Sequence, residues 1–118
     1  SYFRTTPQQV RKSQLSAGQF IEANVVMGMG TDSGSPLNFH TESAWREISA
    51  LVDSGMTPIQ AISAATKTGA EIIRRGNDLG TIEPGKLADV IVVRGNPLFD
   101  INVLGYVEHV VKDGRIYR

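Results

Sequence analysis

The sequence predicts an α/β chain in which one buried strand sits among helices and a small β region follows. Three observations predict it. Residues 23–30, Ala23-Asn24-Val25-Val26-Met27-Gly28-Met29-Gly30, form a short and nearly continuous apolar run, the pattern of a strand covered on both faces in a parallel sheet. Two helix-start signals with helical apolar spacing come after it. Beyond Gly76 the pattern changes to short Val- and Ile-rich runs punctuated by Gly, Pro and Asp, which is strand and turn grammar.

In chain order, Thr6-Pro7-Gln8-Gln9 reads as a helix start. Thr6 can cap, Pro7 has the φ that the first helical position wants, and Gln9 completes a capping box. The helix is polar, with Val10, Leu15 and Phe20 as sparse apolar contacts, and ends between Gly18 and Glu22. The strand over 23–30 is next, then a polar loop over 31–40. Thr41-Glu42 opens an amphipathic helix with Ala44, Trp45, Ile48, Leu51 and Val52 on its stripe and Gly55 at its end. Thr57-Pro58-Ile59-Gln60 starts another, with Ile59, Ile62, Ala65, Gly69, Ile72 and Ile73 on one face and Gly76 as its stop.

Glu83-Pro84-Gly85-Lys86 places Pro and Gly where a type II turn wants them. Residues 88–93 read as a buried strand closed by Gly95-Asn96-Pro97. Two runs, 107–112 and 115–117, flank Asp113-Gly114, a strong hairpin signal. Trp45 is expected in the core and Lys86 in solvent. Asp89 is expected to pair structurally rather than to do chemistry, His109 to lie at the surface, and Asp113 to serve the turn.

Composition narrows the function classes. Twelve basic residues balance twelve acidic ones among 118, which removes the electrostatic case for nucleic acid or an anionic membrane. A net charge of zero also weakens mutual repulsion and favours self-association. No cysteine is present, so disulfides, thiolate nucleophiles and Cys-based zinc sites are excluded. No apolar run reaches the roughly 20 residues of a membrane span, and the first residues lack the pattern of a secretory signal. A cytoplasmic location is expected. The chain starts at Ser1 without an initiator Met, as a trimmed or excised start would.

The best chemical candidate lies in Gly28-Met29-Gly30-Thr31-Asp32-Ser33-Gly34-Ser35-Pro36. Asp32 follows the buried strand by two residues, the position that faces the mouth of an α/β barrel. A carboxylate there can bind a metal or act as a general base. The same residues also fit a plain Asx turn, since Asp beside Ser and Gly often makes one. A phosphate cradle is disfavoured, because neither a Lys-Ser/Thr nor a helix-opening Gly-x-Gly-x-x-Gly is present. His40, in the same loop, either faces a substrate or is solvated and caps the following helix.

Gly30-Thr31-Asp32 at the end of a buried strand is similar to the closing barrel strand of the amidohydrolase superfamily. Ser54-Gly55-Met56-Thr57-Pro58-Ile59-Gln60-Ala61-Ile62, Ala64-Ala65-Thr66 and Gly69-Ala70 extend the likeness. Leu79-Gly80-Thr81-Ile82-Glu83-Pro84-Gly85-Lys86-Leu87-Ala88-Asp89-Val90-Ile91-Val92-Val93 is its most specific part. Over residues 17–118 the chain resembles the branch of imidazolonepropionase-like and Xaa-Pro dipeptidase-like hydrolases.

The resemblance implies the last strand and helices of a TIM-type (β/α)8 barrel over residues 1–78, and the C-terminal strands of a small β domain over 79–118. It implies a parent enzyme that cleaves amide or cyclic C–N bonds in a peptide-like or N-acyl amino acid substrate with metal-activated water. The metal is divalent, with zinc as the first expectation. Asp32 would be its aspartate ligand and the proton shuttle to the leaving nitrogen, and His40 would lie near the small-molecule substrate. The family's His-x-His pair, its midway Lys or Glu and its two later histidines are absent; His40 and His109 are the only histidines. Because catalytic zinc generally takes three protein ligands and a water, the isolated chain is expected to be inactive and to need its missing N-terminal portion. The rival expectation is a non-catalytic, stand-alone module that keeps only this fold and covers its open strand edges by self-association.

Overall fold

The computed structural model describes residues 7–34 and 38–118. Helices α1 (Pro7–Glu22), α2 (Ser43–Asp53), α3 (Pro58–Ala65) and α4 (Lys67–Ile72) come first. Strands β1 (Val90–Val93), β2 (Val107–Lys112) and β3 (Arg115–Ile116) follow, with a 3-10 turn at Ile101–Gly105 between β1 and β2.

Local chemistry accounts for most of these bounds. α1 runs from Pro7, the first of the described residues, and the helix start and cap assigned to Thr6 lie outside them. α1 buries no side chain of its own. It meets the end of α2 at Gly18, where a Cβ would stand 3.2 Å from the Ser54 carbonyl oxygen. α2 closes with Gly55 at φ +116°, its N–H donating to the Val52 carbonyl while that of Met56 reaches Leu51. This pair of bonds satisfies carbonyls that a helix end leaves open. α3 opens on the anticipated capping box: Gln60 N–H donates to Thr57 Oγ1 at 3.4 Å, and Gln60 Oε1 accepts from Thr57 N–H at 2.8 Å.

Several expectations need correction. The helix foreseen from Thr57 to Gly76 is two helices, broken at Thr66 and ended at Ile72. Thr66 turns its hydroxyl back onto the Ile62 carbonyl at 2.7 Å, the local bonding by which Ser and Thr compete with a helix ladder. Residues 25–30 are extended but form no ladder, because no neighbouring strand among the described residues offers one; an isolated strand has no hydrogen-bond partner to make it a sheet. The stretch is held by apolar contacts and by Met29 N–H donating to the Ala64 carbonyl at 3.1 Å. Finally, the strand foreseen as buried, β1, leaves Ile91 and Val92 exposed; adjacent strand residues point to opposite faces, so among the described residues neither face of this terminal strand is fully covered.

The sheet runs β1–β2–β3, antiparallel throughout. Val90 pairs with Val111 and Val92 with His109, with an irregularity between Val92 and Val93. Asp113 and Gly114 turn the hairpin at φ +50° and +74°, the double left-handed step of a type I′ turn. Asp89 pairs structurally, as expected: it takes an ion pair from Lys112 and accepts from the Asp113 N–H at 2.8 Å. His109 is exposed. Lys86 departs from expectation. Its side chain is only 14% exposed, with the ammonium donating to the Gly76 carbonyl at 2.7 Å and to Thr81 Oγ1 at 2.6 Å. It clasps the turn after α4 to the turn before β1, and a flexible ammonium can satisfy both acceptors at once.

The core is small. Leu51, Ala61 and Ala64 are buried together, with Met27, Met29, Ile48, Val52 and Met56 packed around them. Trp45 is half-buried, with Gly105 against its ring and the Arg46 guanidinium 5.4 Å from the ring centre. Many large apolar side chains stay in water: Ile82 is 87% and Phe99 91% exposed. The chain exposes 9003 Å², whereas a compact monomer of this mass exposes about 6,300 Å². Large apolar side chains of the described residues, Val26, Ile82, Phe99 and Tyr106 among them, contribute to that surface.

Candidate functional site

The loop that carries Asp32 is assembled from both sides. On the entering side Met27 and Met29 pack against the core and pin the chain to α3. Gly28 between them lies where a Cβ would stand 2.6 Å from Ile72 Cδ1, so its lack of a side chain lets the segment press against α4. The chain then passes through Asp32 at φ +50°, a left-handed conformation that costs a non-glycine residue about 1 kcal/mol or more unless its surroundings fix it.

Among the described residues, two side chains and a backbone bond brace it. The Asn38 side-chain amide donates to the Thr31 carbonyl at 2.6 Å and to the Asp32 carbonyl at 3.0 Å. The Ser43 hydroxyl, on a residue 8% exposed at the start of α2, hydrogen-bonds Asn38 Oδ1. The loop is closed by Gly34 N–H donating to the Asn38 carbonyl at 3.0 Å. Within it the Thr31 and Ser33 hydroxyls bond each other, and Ser33 N–H reaches Thr31 Oγ1 at 3.3 Å. Asp32 itself is exposed.

His40 lies in the turn before α2 and is exposed. Its ring folds back over the loop: a Cβ added at Gly34 would meet His40 Nε2 at 3.4 Å. Asp32 and His40, singled out from the sequence, thus belong to one loop closure. Asn38 and Ser43 were missed, because an Asn in a polar loop and a Ser at a helix start look alike whether they brace a carboxylate or face water.

Among the described residues, no three His, Cys, Asp or Glu side chains gather into a metal site. Asp32 fits as one oxygen ligand of a divalent cation, and the described residues do not complete a set. Burial raises the pKa of the Glu47 carboxyl on α2, while hydrogen bonding to Arg75 lowers that of Asp78 and hydrogen bonding to Lys112 lowers that of Asp89. A groove of 680 Å³ between α3–α4 and residues 79–91, lined by Ile62, Ala65, Ile73, Ile82, Leu87 and Ile91, does not include the Asp32 loop. No helix among the described residues is long and apolar enough to cross a membrane.

Known proteins are similar to this chain in sequence and in fold. The chain is 31% identical to imidazolonepropionase from Porphyromonas gingivalis strain ATCC 33277, over 94% of this chain and 27% of that protein. It is 35% identical to ochratoxinase from Aspergillus niger, over 94% of this chain and 23% of that protein. Among solved structures, a Xaa-Pro dipeptidase with methionine bound in its active site superposes with a TM-score of 0.81 and 39% identity, over 89% of this chain and 25% of that one. The chain thus spans about a quarter of the length of the relatives it matches. The model of the amidohydrolase family matches residues 5–117, nearly the whole chain, and the chain belongs to that family.

Proposed function

We propose that this chain acts as the C-terminal quarter of a metal-dependent hydrolase of amide or cyclic C–N bonds, with Asp32 as one ligand of a divalent metal, zinc first. The observation that carries the reading is the braced, left-handed Asp32 at the end of the segment pinned to α3. A left-handed Asp held by side chains further along the chain, and not by a flanking hairpin, is better explained by use than by turn chemistry alone. The likeness to imidazolonepropionase, ochratoxinase and a Xaa-Pro dipeptidase supports a peptide-like or N-acyl amino acid substrate. The large exposed apolar surface supports a longer protein that covers it.

In such an enzyme the metal supplies a water activated as nucleophile. The role of Asp32 is to hold a proton and return it to the leaving nitrogen, which an exposed carboxylate with a fixed backbone can do in both directions. His40, folded onto the same loop, lies near the substrate. The remaining ligands come from barrel strands N-terminal to this chain.

A second reading rests on that same exposed surface. The chain would be a non-catalytic module that covers its apolar faces with another copy of itself. Calorimetric titration of the 118-residue chain with zinc, in parallel with Asp32→Ala, separates the two. The first reading expects weak binding that Asp32→Ala abolishes. Tight stoichiometric binding lost in the variant would mean that a second copy completes the site. Binding of equal strength in both proteins would remove Asp32 from the metal altogether.

A further inference from the structure

We infer that Asn38 is the positioning residue of Asp32, and that Ser43 sets the direction in which Asn38 works. The inference rests on the reading of Asp32 as the functional carboxylate, and adds to it the device that aims that carboxylate.

The hydrogen-bonding chemistry leaves one arrangement. Two carbonyl oxygens, those of Thr31 and Asp32, face one end of the Asn38 side chain at 2.6 and 3.0 Å. Carbonyls only accept, so that end is the amide nitrogen, which has two protons and gives one to each. The opposite end is then Oδ1, which requires a donor, and the Ser43 hydroxyl supplies it. That hydroxyl also lies 2.5 Å from the Phe39 carbonyl, so its single proton is shared and its own position is fixed from two sides. The two carbonyls held by Asn38 belong to the peptide unit between Thr31 and Asp32 and to the one that follows it. Clamping both fixes φ and ψ of Asp32, and with them the direction of its Cα–Cβ bond. Ser43 is buried at the first residue of α2, so the aim of Asp32 is tied to the register of a helix packed on the core through Leu51.

The test uses the whole chain labelled with ¹³C and ¹⁵N, comparing wild type, Asn38→Asp, Ser43→Ala and Ser43→Thr. The readouts are the Cα and Cβ shifts of Asp32, which report its left-handed conformation, and solvent exchange of the Gly34 amide. Asn38→Asp keeps the shape of the side chain but turns a double donor into an acceptor facing two carbonyls. It is expected to move the Asp32 shifts away from left-handed values and to speed Gly34 exchange about ten-fold or more. Ser43→Ala is expected to do the same in part, and Ser43→Thr, which keeps the hydroxyl, to restore wild-type shifts. Should Asn38→Asp fail to fold, the two Ser43 variants decide the matter alone.

Unchanged Asp32 shifts in Asn38→Asp or in Ser43→Ala would overturn the inference, even with a lowered melting temperature, for Asn38 would then only brace the loop. Mn²⁺ added to wild type probes the other reading separately. Line broadening centred away from Asp32 would sink the metal assignment, while the shifts would still judge Asn38.

Discussion

Two aspartates in this chain hold the same backbone angle, φ +50°, by opposite means. Asp113 has it because Gly114 follows and two strands flank the pair; such a turn forms from local sequence wherever the strands can meet. Asp89 accepts the Asp113 N–H beside the turn, adding to a conformation that the Asp-Gly pair and its two strands already favour. Asp32 has no such neighbour pattern. Its conformation is imposed by an amide further along the loop and by a hydroxyl on the next helix. A turn written into adjacent residues serves the fold, whereas a strained turn held by distant side chains marks a place where a particular side-chain direction is needed.

If that contrast is sound, the distant support should matter more than the local one. Ser43→Ala leaves Asn38 Oδ1 without its donor in a partly buried place and is expected to cost about 1–3 kcal/mol. Urea unfolding would measure it, with amide shifts showing the disturbance confined to the loop and the start of α2. Gly114→Ala is expected to cost less, about 1 kcal/mol, because an added Cβ meets nothing within 4 Å and only the left-handed backbone objects. A larger loss in Gly114→Ala than in Ser43→Ala would reverse the comparison and return Asp32 to the class of ordinary turns.

The same distinction explains what was legible in the sequence. Helix caps and the hairpin are adjacent-residue signals, and Thr57-Pro58-Ile59-Gln60, Gly55 and Asp113-Gly114 all lie where their local chemistry puts them. Asp32 and His40 could be singled out because their positions follow a recognisable segment. Features that depend on space were not legible. Asn38 became visible only once its amide lay between two carbonyls, and Lys86 only once Gly76 and Thr81 closed on its ammonium. The break at Thr66 was hidden because the apolar spacing continues unbroken through it from Ile62 to Ile72, while a hydroxyl bond decides the backbone. The extended run over 25–30 has strand composition, but a ladder is a property of two segments, and composition describes one.

The smallest expected effect sharpens the comparison from the side of the hairpin. The Asp89 carboxyl is held below its ordinary range first by its hydrogen bond with Lys112 and then by the Asp113 N–H. A carboxylate whose pKa is lower folded than unfolded stabilises the fold above the unfolded value, about 3.9. That contribution is lost as pH falls through the lower, folded value. The hairpin turn should therefore loosen only in acid below about pH 4. From pH 5 to 8 it should not change with Asp89. Added salt should weaken the Lys112 pair, which is exposed enough to be screened. An acid titration following the Asp113 and Gly114 amides would show both effects, and Asp89→Asn should remove the acid step while leaving the left-handed pair at Asp113 and Gly114 in place. If Asp89→Asn instead unwound that pair, the hairpin would depend on a distant side chain as the Asp32 loop does. The two turns would then differ in degree and not in kind.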